Sequence, residues 1–264
     1  MVSTFTILLL ASQRNVISIA HAVSLIDPYR PGVTAANQTP SSHALSLSVL
    51  SSEKYLEVPF HIFYGITDDL ELETRWGFIY NSPEAGMSDM KFSVKYNFKF
   101  FDRYSLIVSD KEDLSAGISG EAGITLPTGD HTKGLGAGGV GIMLGWNIRQ
   151  VFEKNILGFL GLSGEFNNHE LIDESSRRSS RIFSYTAGAR YLYNDDLTFI
   201  MELKGFNNYF SKAMPSSSDF YQELYLSPGV FYKGKNNLPI TSASILIGLT
   251  PDARKIIFYA EKKF

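Results

Sequence analysis

Hydrophobic and polar residues alternate one by one through three successive segments of the chain between Tyr55 and Phe100. Because successive side chains of a β-strand point to opposite faces, each segment would have one apolar face and one polar or charged face. Each segment is close to the roughly 10 residues that a tilted strand needs to cross the hydrocarbon layer, and aromatic residues gather at the segment ends. The pattern therefore predicts membrane-spanning β-strands.

The same alternation recurs to the end of the chain and predicts about twelve strands, an even number of the kind found in bacterial single-chain barrels. The predicted fold is all-β, a single antiparallel up-and-down transmembrane β-barrel over residues 43–264. The first predicted strand carries Leu45, Leu47 and Val49. The others cover 55–66, 70–80, 90–100, 115–126, 138–149, 156–166, 181–193, 197–206, 220–232, 240–249 and 255–264.

The connections between these segments differ in length on the two sides of the predicted barrel. Outer-membrane barrels have short periplasmic turns and longer outer loops. With the N-terminus inside, the short polar turns at 67–69, 194–196 and 233–237 fall on the periplasmic side. The longer polar stretches fall outside, and they cover 81–89, 127–135, 167–180 and 207–219. Two connections depart from the rule, because 101–113 is long for a periplasmic turn and 250–253 is short for an outer loop.

The N-terminal part of the chain predicts an export signal and a linker. Residues 5–11 form a short apolar core and Ala20-His21-Ala22 is an A-x-A cleavage site, so 1–22 is predicted to be a signal peptide. No lysine or arginine precedes the apolar core, and the alternative is a buried N-terminal strand. Residues 23–42 are rich in proline and small polar residues, which predicts a flexible arm.

Composition excludes several classes of function. The 264 residues carry a formal net charge of -3, which gives no reason to expect nucleic-acid binding. The absence of cysteine excludes disulfides, thiolate metal sites and a cysteine nucleophile. No apolar run approaches the roughly 18 residues of a transmembrane helix, so strands must do any spanning. A chain of this length forms one large β domain without a split.

The alternation also assigns a direction to each side chain. The aromatic residues predicted to face the membrane are Phe60, Tyr64, Trp76, Phe78, Tyr80, Phe92, Tyr96, Phe98 and Trp146. The charged residues predicted to line the lumen are Glu57, Glu71, Glu73, Arg75, Lys91, Lys95, Lys99, Glu121, Arg149, Glu165, Arg190, Glu202, Lys204 and Glu223. On this assignment we expect Trp76→Arg to impair folding in lipid and Gly77→Ser to do little.

Two interpretations of the charged face stay open. Antiparallel pairing should bring Glu71 and Glu73 close to Lys95 and Lys99, as a structural charge ladder that fills a narrow barrel. The alternative is a substrate pathway through the lumen. Both hold if the ladder occupies one wall and the pathway follows the inward glycines of another.

Motifs of enzymes are present only in incomplete form, so no catalytic residue, cofactor or metal site is predicted. The run 136–141 satisfies G-x-G-x-x-G, but a polar loop precedes it and an alternating segment follows, without the strand and helix that dinucleotide binding requires. His131 and His169 lie in predicted outer loops, where a membrane-embedded hydrolase would assemble its site across strands. His21, His43 and His61 are too scattered along the chain to indicate a metal site.

Three ordered motifs carry a resemblance to a known family. They are 63–72 (FYGITDDLEL), 86–92 (GMSDMKF) leading to Lys95-Tyr96, and 122–130 (AGITLPTGD). In these runs the chain resembles the transporter-like proteins named for the meta-pathway of phenol degradation, whose members are predicted outer-membrane barrels encoded beside catabolic genes. The terminal Phe264 also resembles the signal that the barrel-insertion machinery recognises, although Lys262 stands where that signal usually has an apolar residue.

Together the pattern and the resemblance imply a channel or transporter of the bacterial outer membrane. The expected function is passive uptake of small molecules, including hydrophobic or aromatic ones, through a charged lumen. The alternatives are a closed structural or lipid-contacting barrel and a lipid-modifying hydrolase. The expected partners are outer-membrane lipids and lipopolysaccharide, whose phosphates the basic residues of the loop 170–181 would meet unless that loop is simply solvated.

Overall fold

The computed structural model of the protein describes residues 43–52, 55–67, 69–98, 117–133, 135–136, 138–153, 155–169, 178–194, 196–212, 218–232, 240–251 and 253–263. The predicted signal peptide (1–22), the predicted arm (23–42), Lys99 and Phe264 lie outside these residues. Within the described ranges, no helix is both long and apolar enough to cross a membrane.

Nearly all of the described chain is β-strand, with a single turn of 3₁₀ helix at His131–Lys133. The strands are β1 (His43–Ser52), β2 (Tyr55–Gly65), β3 (Leu70–Asn81), β4 (Glu84–Met87), β5 (Met90–Phe98), β6 (Gly117–Leu126), β7 (Gly141–Glu153), β8 (Ile156–His169), β9 (Arg178–Leu192), β10 (Leu197–Lys212), β11 (Ser218–Tyr232), β12 (Ile240–Gly248) and β13 (Ile256–Lys263).

The sheet closes on itself. β1 pairs with β2 on one side and with β13 on the other, and β2 also pairs with β3, so the order of neighbours forms a ring. Every pairing is antiparallel. The short β4 pairs with β3 outside the ring, which leaves twelve strands in it. The predicted antiparallel barrel of about twelve strands is confirmed, and closure satisfies the backbone edges that a membrane-spanning sheet cannot leave open.

The predicted loop 81–89 is wrong, because most of it forms a hairpin between β3 and β4. The register on β3 changes between the pairs Phe78–Met87 and Arg75–Lys91, which places Ser88 and Asp89 in a bulge between β4 and β5. The bulge is held from both sides, since Ser88 N donates to Gly77 O at 2.7 Å and Gly77 N donates to Ser88 Oγ at 2.8 Å. Bulges of this kind redirect side chains at barrel rims.

Strands β8 to β11 extend beyond their predicted ends. Residues 167–169 and 178–180 and residues 207–212 and 218–219, which were predicted as outer loops, continue the ladders between β8 and β9 and between β10 and β11. These residues are mainly polar in type, so they lack the alternation that marks a membrane strand. Backbone pairing continues there because it does not depend on an apolar face.

Side chains divide between the two faces in steps of two residues. Of the aromatic residues predicted to face the membrane, six lie exposed on the outer surface, and Trp146 is 57% exposed. Trp76, Phe92 and Phe98 are half-buried on the same face. Trp76 stacks on Phe60 with ring centroids 6.1 Å apart, and Phe98 stacks on Trp146 at 5.8 Å. The first pair joins the neighbouring strands β2 and β3, and the second reaches across β6 from β5 to β7, so aromatic pairs cover part of the outer belt.

Gly77 does not behave as the sequence predicts. A Cβ added to it would lie 2.5 Å from Cα of Pro59 and 2.6 Å from the carbonyl oxygen of Val58, and both atoms belong to the backbone of β2. Backbone atoms of a paired strand cannot yield locally. The prediction that Gly77→Ser does little is therefore wrong. Alternation predicts which face a residue lies on, but it does not predict how much space lies beside that residue.

Replacing Gly77 by alanine should destabilise the barrel by about 1–3 kcal/mol, the usual cost of forcing an extra methyl group into a packed site. Gly164→Ala is the matched control, because its added Cβ would meet the ring of Phe166 at 3.3 Å, and a side chain on the same strand can shift. Urea unfolding of both variants in detergent measures the difference. An equal loss in the two variants would contradict the backbone contact at Gly77.

Candidate functional site

The charged interior begins on the wall formed by β2, β3, β5 and β6. Lys95 on β5 lies directly between Glu71 of β3 and Glu121 of β6 in the strand register. Its Nζ is 3.7 Å from Glu71 Oε1, 3.7 Å from Glu73 Oε2 and 3.9 Å from Glu121 Oε2. Lys95 is 1% exposed, and the three carboxylates are buried with it. One ammonium group therefore joins three carboxylates, and we call these four residues the Lys95 cluster.

Residues of β2 extend this cluster. His61 is fully buried, and its Nδ1 lies 3.0 Å from Glu73 Oε1. The ring of His61 stacks on Phe63 with centroids 5.9 Å apart. Phe63 is 1% exposed and faces inward, a position that the sequence analysis did not assign. The signal was its residue number: the outward residues of this segment have even numbers, so the odd-numbered Phe63 is predicted to face inward.

Two further ion pairs lie nearer the end of the barrel that carries the β3–β4 hairpin. Arg75 pairs with Glu57, whose other carboxylate oxygen accepts a 2.5 Å hydrogen bond from the hydroxyl of Tyr55. Lys91 Nζ on β5 is 2.9 Å from Glu165 Oε2 on β8, although β6 and β7 lie between those strands. Thr125 Oγ1 of β6 donates to Glu165 Oε1 at 3.0 Å. The Lys91–Glu165 pair therefore bridges the interior instead of following the wall.

The wall from β7 to β11 carries charges that are more widely spaced. Lys204 Nζ is 3.3 Å from Glu202 Oε2 on the same strand. The guanidinium of Arg190 lies 4.5 Å from the centre of the Phe231 ring. Glu223 is half-buried and accepts a 2.8 Å hydrogen bond from the hydroxyl of Tyr225. The buried hydroxyl residues between these charges, continuing onto β12, are Ser163, Ser184, Thr186, Ser227, Ser242 and Ser244.

Several inward glycines lie beneath large side chains. A Cβ on Gly188 would be 2.5 Å from Cζ of Phe159, and one on Gly123 would be 2.8 Å from Cε of Met143. A Cβ on Gly229 would be 2.9 Å from Cγ2 of Ile200. Large side chains therefore cover the inner wall at these three glycines, and a pathway along the glycines of β7 stays a prediction. Glycine gives neighbouring side chains room to cross the interior, as it does in other closed sheets.

Glu261 on β13 is a buried carboxylate that sequence reasoning missed. It accepts hydrogen bonds from Ser46 Oγ, from Ser242 Oγ at 3.5 Å and from the Tyr259 hydroxyl at 3.4 Å. Its odd position in the last strand, in phase with the inward Ile257 and Tyr259, was the signal that predicts an inward carboxylate.

The connection after β6 folds into the barrel mouth at the β3–β4 end. We call residues 127–133 and 135–136 the mouth loop. Leu135 is 2% exposed, and its Cδ1 would lie 2.7 Å from a Cβ added to Gly86. Gly86 pairs with Ile79, which is buried on the inner face of β3. Leu135 therefore packs on the inner side of the hairpin and narrows the mouth.

Asp89 anchors the mouth loop. Its Oδ1 accepts a 2.8 Å hydrogen bond from the backbone N–H of Gly129, and Met90 N donates to Thr128 Oγ1 at 2.8 Å. Thr128 Oγ1 also donates to Ser88 O at 3.3 Å. Two of the motifs that carry the family resemblance, 86–92 and 122–130, therefore meet at this point. Nothing in their sequence spacing indicates the contact, which joins residues about 40 positions apart.

The side chain of Asp130 makes its contacts within the turn of the mouth loop. Its Oδ1 accepts hydrogen bonds from Thr132 Oγ1 at 2.6 Å and Thr132 N at 3.1 Å, and Lys133 Nζ lies 3.5 Å from its Oδ2. The hydrogen bond from the Thr132 hydroxyl is the main reason that the pKa of Asp130 lies below its usual value. In the described part of the chain, no three histidine or carboxylate side chains are grouped as a metal site would require. The side chains of His131 and His169 lie outside the description, so the hydrolase hypothesis stays a prediction.

Comparisons with known proteins support the fold. No protein-family model matches the chain, and no curated protein matches it, so the resemblance to the phenol-pathway family stays a resemblance. An outer membrane channel from Pseudomonas putida F1 is similar at a TM-score of 0.68 and 11% identity, over 89% of this chain and 99% of that one. The NanC porin is similar at a TM-score of 0.54 and 10% identity, over 84% of this chain and 98% of that one. By its fold and its apolar outer belt, the chain is an outer-membrane β-barrel.

Proposed function

We propose that the protein is an outer-membrane channel for the passive passage of small molecules. The observation that carries this proposal is a closed ring of twelve strands that encloses charged and hydroxyl side chains among apolar ones and carries a belt of exposed apolar side chains on its outer face. A channel needs a polar lumen, and buried charges are an expensive way to fill a barrel because they cost free energy that apolar packing does not. The similarity in fold to a channel and a porin supports the proposal.

The proposed permeants are small molecules, with hydrophobic and aromatic compounds as first candidates. This choice follows from the resemblance to proteins encoded beside genes for aromatic catabolism. The proposed lumen-lining residues are the inward charges of the Lys95 cluster and of the Lys91–Glu165 bridge. Outer-membrane lipids and lipopolysaccharide would surround the belt. Recognition by the insertion machinery through Phe264 stays a prediction.

A specific observation favours one alternative, a closed structural barrel. Inward side chains from opposite parts of the ring fill the interior, and Met143, Leu157, Tyr225 and Leu246 have no exposed surface. A filled interior is expected for narrow barrels near eight strands, and a ring of twelve is wider. Conductance separates the two functions. The hydrolase has no observation in its favour among the described residues.

Removing the anchor of the mouth loop should widen the channel. In Asp89→Ala the loop loses the hydrogen bond from Gly129 N to a charged acceptor, which is worth about 1.5–3 kcal/mol. Leu135 is then less firmly held in the mouth, so we expect larger single-channel currents from the refolded protein in a planar bilayer. The matched control is Asp130→Ala, which removes a carboxylate of the same loop that bonds only within its own turn.

The outcomes are distinct. Steady wild-type channels with a larger current in Asp89→Ala support both the channel and the role of the loop. Equal currents in wild type and both variants leave the channel standing and overturn the role of the loop. Stable insertion without current in any of the three favours the closed barrel.

A further inference from the structure

Arg149 is a buried cation whose charge the described part of the protein does not balance. It lies on β7, four residues before the strand ends, and is 2% exposed. Its Nη2 donates to Asn97 Oδ1 at 3.3 Å, and no described group accepts a hydrogen bond from its Nε or Nη1. No carboxylate among the described residues forms an ion pair with it. The amide of Asn97 accepts a hydrogen bond but carries no charge.

The strands around Arg149 leave room for its guanidinium but bring no carboxylate into contact with it. The guanidinium passes over Gly117 of β6, where an added Cβ would lie 3.0 Å from Nη2. Across β8, Arg149 pairs in register with Phe159, and Leu157 two residues away pairs with Arg190 of β9. A second guanidinium therefore lies at a similar depth of the same wall. Asn147, two residues from Arg149 on the same face, is also buried, and its Oδ1 accepts no hydrogen bond from a described group.

Burying an unpaired guanidinium is costly, and the guanidinium of an arginine keeps its positive charge in proteins. The cost falls if a mobile anion supplies the missing charge. One uncompensated positive charge matches a monovalent anion, and the planar guanidinium matches the two oxygens of a carboxylate.

We propose that Arg149 forms a binding site for a small monovalent carboxylate at the end of the barrel interior that carries the β5–β6 connection. Bound there, the carboxylate would accept a hydrogen bond from Nη1 or from Nε, which point to opposite sides of the guanidinium, while Asn97 keeps Nη2 in place. The proposal deepens the proposed function and rests on it in one respect, since solutes must reach the interior. It makes the channel selective for organic anions among small permeants.

Acetate is the probe, and thermal unfolding of the refolded barrel in detergent is the readout, because it does not require current through the pore. A ligand that binds only the folded state raises the midpoint, by about 3 °C for a barrel of this size at a tenfold excess over its dissociation constant. We expect this rise in wild type with rising sodium acetate and a smaller one in a parallel series with sodium chloride. Lys133→Gln, which removes an exposed cation, should respond as wild type does.

Asn97→Asp is the sharpest variant, because it places a fixed carboxylate of nearly the same shape beside Nη2 of Arg149. We expect a higher midpoint than wild type without acetate and no further rise with it. Arg149→Gln should also lose the response to acetate. An unchanged acetate response in Asn97→Asp overturns the proposal, as does a wild-type midpoint that acetate does not move. If wild type conducts in a bilayer and acetate does not raise its unfolding midpoint, the anion site is disproved and the channel stands. If acetate raises the midpoint of a barrel that does not conduct, the anion site stands and the channel is disproved.

Discussion

Replacing Lys95 by methionine should lower the free energy of unfolding of the barrel by about 3–5 kcal/mol, the cost of removing one partner of a buried ionic group. The ammonium of Lys95 is the centre of three carboxylates within 3.9 Å, all of them buried. Methionine keeps most of the volume of the side chain but leaves three like charges facing one another. Reversible urea unfolding in detergent, followed by tryptophan fluorescence, measures the loss.

Lys91→Met is the matched control for this prediction. Lys91 lies on the same strand and also pairs with a glutamate, but the two side chains are 16% and 13% exposed and Lys91 neutralises one carboxylate instead of three. Water replaces the lost partner more readily there, so the control should lose clearly less stability. Equal losses in the two variants would show that the Lys95 cluster is not a coupled unit.

The sequence predicts the parts of this fold that depend on a period of two residues. Alternation identifies the membrane-spanning parts of the twelve ring strands and their inner and outer faces, because each strand needs one apolar face in lipid. Antiparallel pairing also predicts that Glu71 and Lys95 lie close together, but their direct opposition depends on the bulge, because the β3–β4 register continued without it would place Val94 opposite Glu71. Part of the ion-pair network can therefore be predicted from the sequence through the pairing of the strands.

The remaining features depend on contacts that no local pattern encodes. The bulge at Ser88 and Asp89 receives the mouth loop, and this requires a residue about 40 positions later to return to the same place. The environment of Arg149 is set jointly by Asn97 on β5 and Gly117 on β6, one of which merely leaves space. The intolerance expected at Gly77 likewise comes from the backbone of a neighbouring strand. Alternation gives the direction of a side chain, and the neighbours across the sheet decide what it meets.

Replacing Trp76 by arginine should lower the free energy of unfolding in lipid vesicles by about 2–4 kcal/mol, the cost of a cation on the lipid face near the bilayer midplane. Trp76 lies on the outer face in the middle of β3, directly opposite Phe60 of β2, and the two rings stack. Arginine would lose this stacking and expose its charge to hydrocarbon.

Tyr80→Arg is the matched control, because Tyr80 lies on the same face one residue before the end of the strand, where the cost should fall to about 0–1 kcal/mol. Folding yield and urea unfolding in vesicles measure both variants. A large loss at Trp76 with a small one at Tyr80 fixes the facing and the depth of β3 together, whereas equal losses would place the bilayer midplane elsewhere along the strand and no loss at Trp76 would remove that residue from the lipid face.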